Sequence, residues 1–458
     1  MKAVEARRRL GDSSAERLAL VAPSLQDKST LRPSKDRPMR CRFVVLTLTA
    51  FLAFPHALDS QAAPGPAAGV ISIGSRDSVW SPTLREWRRY QVYLPPGYTG
   101  AAMLPRAYPV VYVLDGGVHF HSLTGVIQFF STGGNGNFVL PEMIVIGIAN
   151  TDRTRDLTPT HATTGPDGKP APFATSGGGT AFLQFVRSEL MPRIDSAYRT
   201  EPYRVLVGHS FGGIIAIHAL YTMPDAFNAY VAIDPSLWWD SRRMVEQARS
   251  YFASAKLTGR TLYVAQANTV DLTRNSAEGP CGTPSKRAEC PDTGSLAHFR
   301  AIGDFDRVMR AANMSGLRYA YRYYPNDDHG SVPLIAGYDA LRLIFDGYRF
   351  DFTKRITVDA IRSHFENVSR RAGYTVKPPE KMLGLVSTAW ANSDSAMTVS
   401  VARYYAELYP TSPQALEALG YALLTTRDTT GAVSAYRQAS ALAPQNQRIK
   451  DLLAKLRP

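Results

Sequence analysis

Short β-rich apolar runs alternate with amphipathic stretches from Val70 to about Phe352, and this alternation limits the fold more than any other feature. The runs end in Gly, Asp, Ser, Asn or His, and they read YQVYLP, YPVVYVLDGG, EMIVIGIAN, YRVLVGHS, AYVAIDPS, RTLYVAQAN and RYAYRYYPNDDHG. Strands that alternate with helices form a mainly parallel sheet covered on both faces. Ligands bind beyond the carboxyl ends of such strands, so we expect the functional site there.

The net charge of +13 includes a large contribution from the start of the chain. Residues 1–62 hold 11 Lys and Arg against 6 Asp and Glu, a net charge of +5, which leaves +8 for the rest. No basic run suggests an arm that binds nucleic acid. We therefore expect no nucleic-acid partner.

The segment MRCRFVVLTLTAFLAFPHALDSQA, from Met39 to Ala62, has the layout of a secretory signal. Two arginines precede an apolar run, and small residues follow it. The apolar run is short for a membrane span, although a membrane anchor is the alternative. We expect a disordered leader and signal peptide over 1–62 and a periplasmic or secreted protein. Whether residues 1–38 are translated is left open.

Two cysteines follow this segment, Cys281 and Cys290 in EGPCGTPSKRAECPDTG. In an oxidising compartment they favour a small-loop disulfide, with two free thiols as the alternative. A zinc site is not expected, because no second close pair of ligands accompanies them.

The strand pattern stops after Phe352, and the rest of the chain is predicted to be helical. We expect a helical linker over 353–374 and an Ala- and Leu-rich helical region over 375–458. Tetratricopeptide-repeat spacing is shown by Leu419, Gly420, Ala432, Tyr436, Ala439 and Pro444, with Pro410 one 34-residue period before Pro444. A peptide partner is a candidate for this region. The alternative is a generic helical hairpin that covers the preceding domain.

A serine stands between glycines in Gly208-His209-Ser210-Phe211-Gly212, with a strand pattern before it and a helix pattern after it. Such a G-x-S-x-G turn lifts the hydroxyl above the sheet edge and directs the helix N-terminus at an oxyanion. We therefore predict Ser210 as a nucleophile and the Phe211 amide as an oxyanion donor. The alternative is a serine in an ordinary glycine turn.

A serine nucleophile needs a base, and the base needs an orienting acid, in the chain order Ser, acid, His. His329, in YYPNDDHGSVP after the last strand, is the predicted base. His218 is expected to be a packed or surface residue of the helix after the serine. His298 is expected in a surface helix.

The acid is less determined by the pattern. Asp271 is the first carboxylate beyond the strand TLYVAQAN and is the preferred candidate, and Asp234 in AIDPS is the second. The neighbouring pair Asp327 and Asp328, or a Ser-His dyad without an acid, also remain open. A second oxyanion donor is expected from the amide of Gly116 or Gly117 in VLDGG, where the alternative is an ordinary turn.

Several motifs in order carry a family resemblance: REWRRYQVYLPPGY, YVLDGG, VIGIANTDRTRDLTPT, FVRSELMPRIDSAYRT, GHSFGG, PSLWWD and DHGSVP. Together they resemble the Putative esterase family of α/β-hydrolases, which includes S-formylglutathione hydrolase (esterase D), siderophore esterases and mycolyltransferases. The resemblance spans about Val79 to Phe345. It implies an α/β-hydrolase domain over 63–352 with a mainly parallel sheet, and members often carry a tetratricopeptide-like tail.

The resemblance also implies Ser210 as nucleophile and His329 as base. Similar sequences often have Asn-Glu where this chain has Asn268-Thr269, which leaves the acid open. The acyl pocket is expected to be lined by Trp238 or Trp239, with two core aromatics as the alternative, and His209 is also expected at the substrate. The loop from Pro159 to Gly179 is a candidate lid or specificity loop.

The predicted function is a secreted serine esterase that forms an acyl-enzyme and uses no metal or organic cofactor. Siderophore and carbohydrate esters are the candidate substrates. The alternatives are an acyltransferase of the same fold and an inactive scaffold that binds protein through its helical tail.

Overall fold

A computed structural model of the chain describes residues 71–99, 106–136, 138–165, 169–170, 173–270, 290, 294–312, 316–353, 356–389 and 394–456. Within these ranges the strands form one sheet, and their bounds are β1 Ser75–Ser81, β2 Glu86–Tyr93, β3 Tyr108–Val113, β4 Ile144–Ile148, β5 Thr200–His209, β6 Ala229–Ile233, β7 Arg260–Ala267 and β8 Leu317–Tyr324. The predicted leader over 1–62 lies outside the described residues.

The strand order is β1-β2-β4-β3-β5-β6-β7-β8. The first two strands form an antiparallel hairpin, β2 pairs antiparallel with β4, and all the other neighbours pair parallel. This confirms the predicted mainly parallel sheet. It also brings the carboxyl ends of β3, β5, β6 and β7 to one edge, where the polar residues of the sequence motifs follow.

Helices cover both faces of the sheet. Their bounds are α1 Pro96–Thr99, α2 Gly116–Ser131, α3 Arg153–Asp156, α4 Gly179–Phe185, α5 Met191–Ala197, α6 Phe211–Thr222, α7 Trp239–Ser254, α8 Gly294–Ala311, α9 Val332–Ile344, α10 Val358–Ala372, α11 Glu380–Ala389, α12 Ser395–Leu408, α13 Pro413–Thr425, α14 Thr429–Leu442 and α15 Gln447–Lys455. A π-helical turn over Val186–Leu190 joins α4 to α5. Among the described residues, no helix is both long and apolar enough to cross a bilayer.

Two apolar cores lie on the two faces of the sheet, and alternate residues of one strand enter different cores. On β3, Val110 and Tyr112 join the core built with α4 to α8, whereas Val111 and Val113 join the core built with α2 and α9. The strands β3, β4 and β6 are buried throughout because both of their faces are covered. The continuous apolar runs in the sequence reflect this double burial.

The second core continues from the sheet into the C-terminal helices. Phe365 of α10, Leu383 of α11 and Tyr405 of α12 belong to the same apolar cluster as Val205 of β5. On the sheet side of this cluster, the rings of Tyr203 and Tyr374 lie 6.1 Å apart. The C-terminal region is therefore helical, as predicted, and it packs against the sheet.

Within this region, α13 and α14 approach closely at Gly420, where a Cβ atom would lie 2.8 Å from the ring of Tyr436. A small residue is needed at this contact, as the predicted repeat pattern assumes. The tetratricopeptide assignment and the boundaries at 352, 374 and 375 stay predictions.

Candidate active site

Ser210 stands at the sharp turn between β5 and α6. Its φ of 59° and ψ of −116° lie outside the regions that L-residues normally occupy. At Gly208 a Cβ atom would collide with the backbone carbonyl of Gly212, so only glycine fits the crossing of strand and helix there. The local sequence thus produces a strained turn that holds the hydroxyl above the end of β5.

His329 lies in the loop after β8, and its Nδ1 is 2.6 Å from Oδ2 of Asp234. Asp234 follows β6 directly and is fully buried. Its Oδ1 accepts a hydrogen bond of 2.8 Å from the backbone N–H of Ala267 at the end of β7. A carboxylate can only accept here, so Nδ1 of His329 donates and Nε2 is left as the basic nitrogen.

Asp271 and Asp234 are the first and second candidates for the acid. Asp271 lies outside the described residues, and Asp234, the second candidate, contacts the histidine. Asp234 follows β6, which pairs parallel with β7. Asn268, the residue after β7, holds the loop that carries His329. Its backbone N–H donates to the carbonyl of Asp327 at 2.8 Å, and its Nδ2 donates to the carbonyl of Pro325 at 3.0 Å.

Asp327 and Asp328 shape the turn that carries His329. Oδ1 of Asp328 accepts from the backbone N–H groups of Gly330 and Ser331, at 2.9 and 2.8 Å. Oδ1 of Asp327 accepts from the hydroxyl of Ser331 at 2.9 Å. These contacts occupy the two carboxylates within the loop, and the carboxylate that contacts His329 follows β6.

The hydroxyl of Ser210 lies 3.2 Å from the hydroxyl of Ser236, whose backbone N–H donates to the carbonyl of Ser210 at 3.1 Å. Sequence reasoning missed Ser236, which is buried two positions after Asp234. Among the described residues no direct hydrogen bond joins Ser210 to His329. The imidazole of His329 packs against the residue before Ser210, with its ring centre 4.4 Å from that of His209.

The predicted oxyanion donors Phe211, Gly116 and Gly117 are the first residues of two helices. Phe211 begins α6, and Gly116 and Gly117 begin α2. The first backbone N–H groups of a helix have no acceptor within it, so they are free to bind an anion. A Cβ atom at Gly212 would lie 3.5 Å from Oδ2 of Asp115, so the two helix starts adjoin each other.

Arg153 holds the loop before α2 and faces the site. Its Nε and Nη2 donate to the two carboxylate oxygens of Asp115, at 2.7 and 3.0 Å, and Nδ2 of Asn150 donates to the same carboxylate. The guanidinium also lies 5.2 Å above the ring of Phe211. Its side chain is 38% exposed, which leaves it able to meet a substrate.

The two tryptophans divide into different roles. Trp239 is only 1% exposed and its Nε1 donates to the carbonyl of Thr160 at 3.1 Å, so it is packed as a core aromatic. Its ring packs on Phe173, 4.8 Å away, so it anchors the loop that was predicted as a lid. Trp238 is only partly buried and lies 6.2 Å from the ring of Phe211, so it can line an acyl pocket.

His209 is partly buried between the rings of His119 and His329. Desolvation, and then the neighbouring His329 and His119, lower the pKa of His209 to about 3. Its Nε2 is buried and has no hydrogen-bond partner among the described residues. The ring is therefore neutral at ordinary pH and lines the site as an uncharged group.

His298 was expected on a surface helix, but it is only 7% exposed. Its Nε2 lies 2.9 Å from the same Oδ2 of Asp234 that contacts His329. Burial acts to raise the pKa of the Asp234 carboxyl. The two histidines, His298 and His329, outweigh this effect through their charge and their hydrogen bonds, so the pKa is well below its usual value. The carboxylate is therefore ionised across the working range of pH.

Asp234, His298 and His329 are also close enough to hold an ion, since their nitrogen and oxygen atoms lie within 4.8 Å of one another. The hydrogen bonds between these atoms account for the grouping without an ion. His218 lies away from this group on α6, where its Nε2 is 3.0 Å from the hydroxyl of Thr180 and burial lowers its pKa to about 4.

Comparison with known proteins relates this site to ester hydrolases. The profile of the family described as "Putative esterase" matches residues 81–278. The chain is 35% identical over 167 residues to a siderophore enterobactin esterase of Emericella nidulans, and 28% identical over 214 residues to the ferri-bacillibactin esterase BesA of Bacillus subtilis. These matches cover 32% and 44% of this chain, and 52% and 73% of the two relatives.

A solved structure extends the similarity over more of the chain. An IroE-like serine hydrolase from Shewanella oneidensis is 30% identical, with a TM-score of 0.62. The match covers 73% of this chain and 99% of that protein. A protein from Capnocytophaga ochracea, 17% identical with a TM-score of 0.52, covers 84% of this chain and shares the fold.

Proposed function

The chain belongs to the Putative esterase family of α/β-hydrolases, and we propose that it hydrolyses carboxylic esters through Ser210, His329 and Asp234. One observation carries the proposal: a strained serine turn lies at the same edge of the sheet as His329, which is bonded to the buried carboxylate of Asp234. A serine hydroxyl becomes a useful nucleophile only beside such a base.

In the first step, the proton of the Ser210 hydroxyl passes to Nε2 of His329 while Oγ bonds to the ester carbonyl carbon. The carbonyl oxygen becomes an oxyanion, for which the amides of Phe211 and Gly116 or Gly117 are the donors. Collapse of this intermediate breaks the bond to the alcohol oxygen, which takes the proton from His329 and leaves.

In the second step, water gives a proton to Nε2 of His329 and its oxygen attacks the acyl carbon. Collapse of the second oxyanion breaks the bond between Oγ and carbon, returns the proton to Ser210 and frees the acid. The hydrogen bond between Asp234 and His329 keeps the imidazole in the required tautomer through both steps.

The Ser210 hydroxyl must turn from Ser236 toward His329 for the reaction to begin. Hydrogen bonds of this kind are often long or absent before substrate binds and tighten in the complex. The buried hydroxyl of Ser236 holds the resting position of Ser210 at 3.2 Å.

Siderophore esters are the proposed substrate class. Two relatives of this chain carry the names of a siderophore enterobactin esterase and a ferri-bacillibactin esterase. The exposed cation of Arg153 above Phe211, with Trp238 beside it, suits an aromatic and anionic acyl group. We propose a secreted location from the signal-like segment, and the disulfide bond at Cys290 agrees with an oxidising compartment.

The test is a comparison of the wild type with Ser210→Ala on a panel of p-nitrophenyl esters, carbohydrate esters and a ferric siderophore. A fluorophosphonate probe that labels active serines supplies a second measurement. We expect labelling and hydrolysis by the wild type and neither by the folded variant, with the siderophore giving the highest kcat/KM. Retention of most ester hydrolysis by Ser210→Ala would disprove the mechanism.

A further inference from the structure

The mechanism leaves one buried titratable side chain beside its acid without a role. His298, on α8, places Nε2 2.9 Å from Oδ2 of Asp234, the atom that also contacts His329. The rings of His298 and His329 are 5.2 Å apart and nearly perpendicular, so both nitrogens reach one oxygen without collision.

A fully buried carboxylate needs donors on both oxygens, because it has lost its contact with water. Oδ1 of Asp234 has the backbone N–H of Ala267, which is part of a strand and cannot leave. Oδ2 depends on side chains alone. During catalysis His329 accepts and returns protons, whereas His298 takes part in neither step. His298 can therefore keep its hydrogen bond to Oδ2 of Asp234 throughout the reaction.

The scaffold fixes His298 more firmly than a surface helix would. Gln266 of β7 donates from Nε2 to the carbonyl of Phe299, the residue after His298, at 2.9 Å. The Oε1 of Gln266 accepts from the hydroxyl of Tyr321 of β8 at 2.5 Å. These bonds join α8 to two strands, and they fix the position of the imidazole relative to the carboxylate.

Asp234 needs such support because its backbone is strained. Its φ of 41° is in the left-handed region, which is uncommon for residues other than glycine. A carboxylate on a strained residue at the end of a strand keeps its direction only if its contacts hold it there.

We propose that His298 is a positioning residue of the esterase, which holds Oδ2 of Asp234 in place for His329 by a second imidazole hydrogen bond. The proposal rests on the proposed function, since it assigns a role to a neighbour of the proposed triad. In this proposal the carboxylate of Asp234 accepts hydrogen bonds from two histidines rather than from one.

The experiment compares His298→Phe, which keeps a ring but has no donor, with His298→Gln, whose amide nitrogen can reach the position of Nε2. The readouts are kcat and KM for a p-nitrophenyl ester, with the thermal midpoint as the measure of folding. We expect His298→Phe to lower kcat about 10- to 100-fold with KM nearly unchanged, as for one hydrogen bond to a charged group. His298→Gln should recover most of kcat.

The outcomes separate this proposal from the proposed function. If folded His298→Phe keeps the wild-type kcat, or if the Gln and Phe variants lose the same fraction, His298 only fills space and the proposal is wrong. Activity in Ser210→Ala would instead overturn the function itself.

A second measurement applies even if His298→Phe does not fold. With ¹⁵N-labelled histidine, the wild type should show two imidazole N–H protons shifted downfield by a carboxylate, and His298→Gln should retain only one. A single such proton in the wild type would contradict the second hydrogen bond.

Discussion

Asp234 and His329 are separated by 95 positions of sequence, yet Oδ2 of one lies 2.6 Å from Nδ1 of the other. Asp234 follows β6 and His329 lies in the loop after β8, so the two side chains meet beyond the end of β7, the strand between them. The two residues at that end support the pair from both sides. Ala267 donates its backbone N–H to Asp234, and Asn268 binds the carbonyls of the histidine loop.

The assignment of the acid gives the first prediction. Asp234→Asn should lower kcat about 10³- to 10⁴-fold, because an amide favours the wrong tautomer of His329. Asp271→Asn should stay close to the wild type. Steady-state kinetics on one p-nitrophenyl ester compare the two, with circular dichroism to confirm folding. A large loss in Asp271→Asn and a small one in Asp234→Asn would return the acid to the position after β7.

The two glycines at the start of α2 give a matched pair. A Cβ atom at Gly116 would lie 2.6 Å from the backbone carbon of Gly147, whereas at Gly117 it would meet nothing within 4 Å. Gly116→Ala should therefore lower the free energy of unfolding by about 1–3 kcal/mol, since backbone must move to admit the methyl group. Gly117→Ala should leave it nearly unchanged. Denaturant unfolding measures both, and equal stability of the two variants would contradict the packing at Gly116.

The histidine next to the nucleophile predicts a dependence of stability on pH. Desolvation, then His329 and His119, lower the pKa of His209 from 6.5 to about 3, so between these values the unfolded chain binds a proton that the folded chain does not. The free energy of unfolding should therefore fall as the pH drops through this window.

In His209→Gln this slope should be shallower by up to about 1.4 kcal/mol per pH unit, the value for one proton. His121→Gln, at an exposed position of α2, is the matched substitution for comparison. Urea unfolding between pH 4 and 6.5 supplies the slopes. If His209→Gln and the wild type have parallel curves, the histidine is protonated in the folded protein.

The exposed cation at the site predicts a change in substrate binding. Arg153→Gln should raise KM for a ferric siderophore about tenfold, the loss expected when one cation no longer faces an anionic aromatic group. KM for p-nitrophenyl acetate should change much less. Arg187→Gln removes an exposed ion pair with Asp225 and serves as the control. The same rise in KM for both substrates would show that Arg153 acts through the shape of the site.

The cysteine prediction concerns the loop between β7 and α8. Cys290 is disulfide-bonded, and Cys281, its predicted partner, lies outside the described residues. A peptide map under non-reducing conditions should contain a Cys281–Cys290 fragment. Cys290→Ser should lower the free energy of unfolding by about 2–3 kcal/mol, as for a short closed loop. Recovery of Cys281 as a free thiol in the non-reducing map would exclude the predicted pair.

Much of the fold is readable from sequence because its strands are buried on both faces. Runs such as YPVVYV are apolar throughout, which fits central strands of a parallel sheet. The positions of Ser210 and His329 follow from local patterns as well, since Ser210 follows β5 directly and His329 lies in the polar loop after β8. Strand ends meet at one edge in such a sheet, so their approach could be predicted without coordinates.

The acid could not be chosen in this way. Asp234 follows β6 and Asp271 comes after β7 in the sequence, and both strands end at the same edge of the sheet. The choice between them depends on the tertiary packing of β6, β7 and β8, which the local sequence does not reveal. The resting contact of Ser210 with Ser236 is also tertiary. His298 did carry a local signal: it shares the buried stripe of α8 with Ala301, Ile302 and Phe305, which a surface helix would not bury.

The apolar cluster that joins the sheet to the C-terminal helices has a consequence for how this protein can be shortened or recombined. If the chain stopped at residue 352, Tyr203 would lose its contact with the ring of Tyr374, and the cluster would lose Phe365 and Leu383. A fragment that ends at residue 352 would therefore expose apolar surface and be prone to aggregate. The C-terminal helices and the sheet should be expressed together.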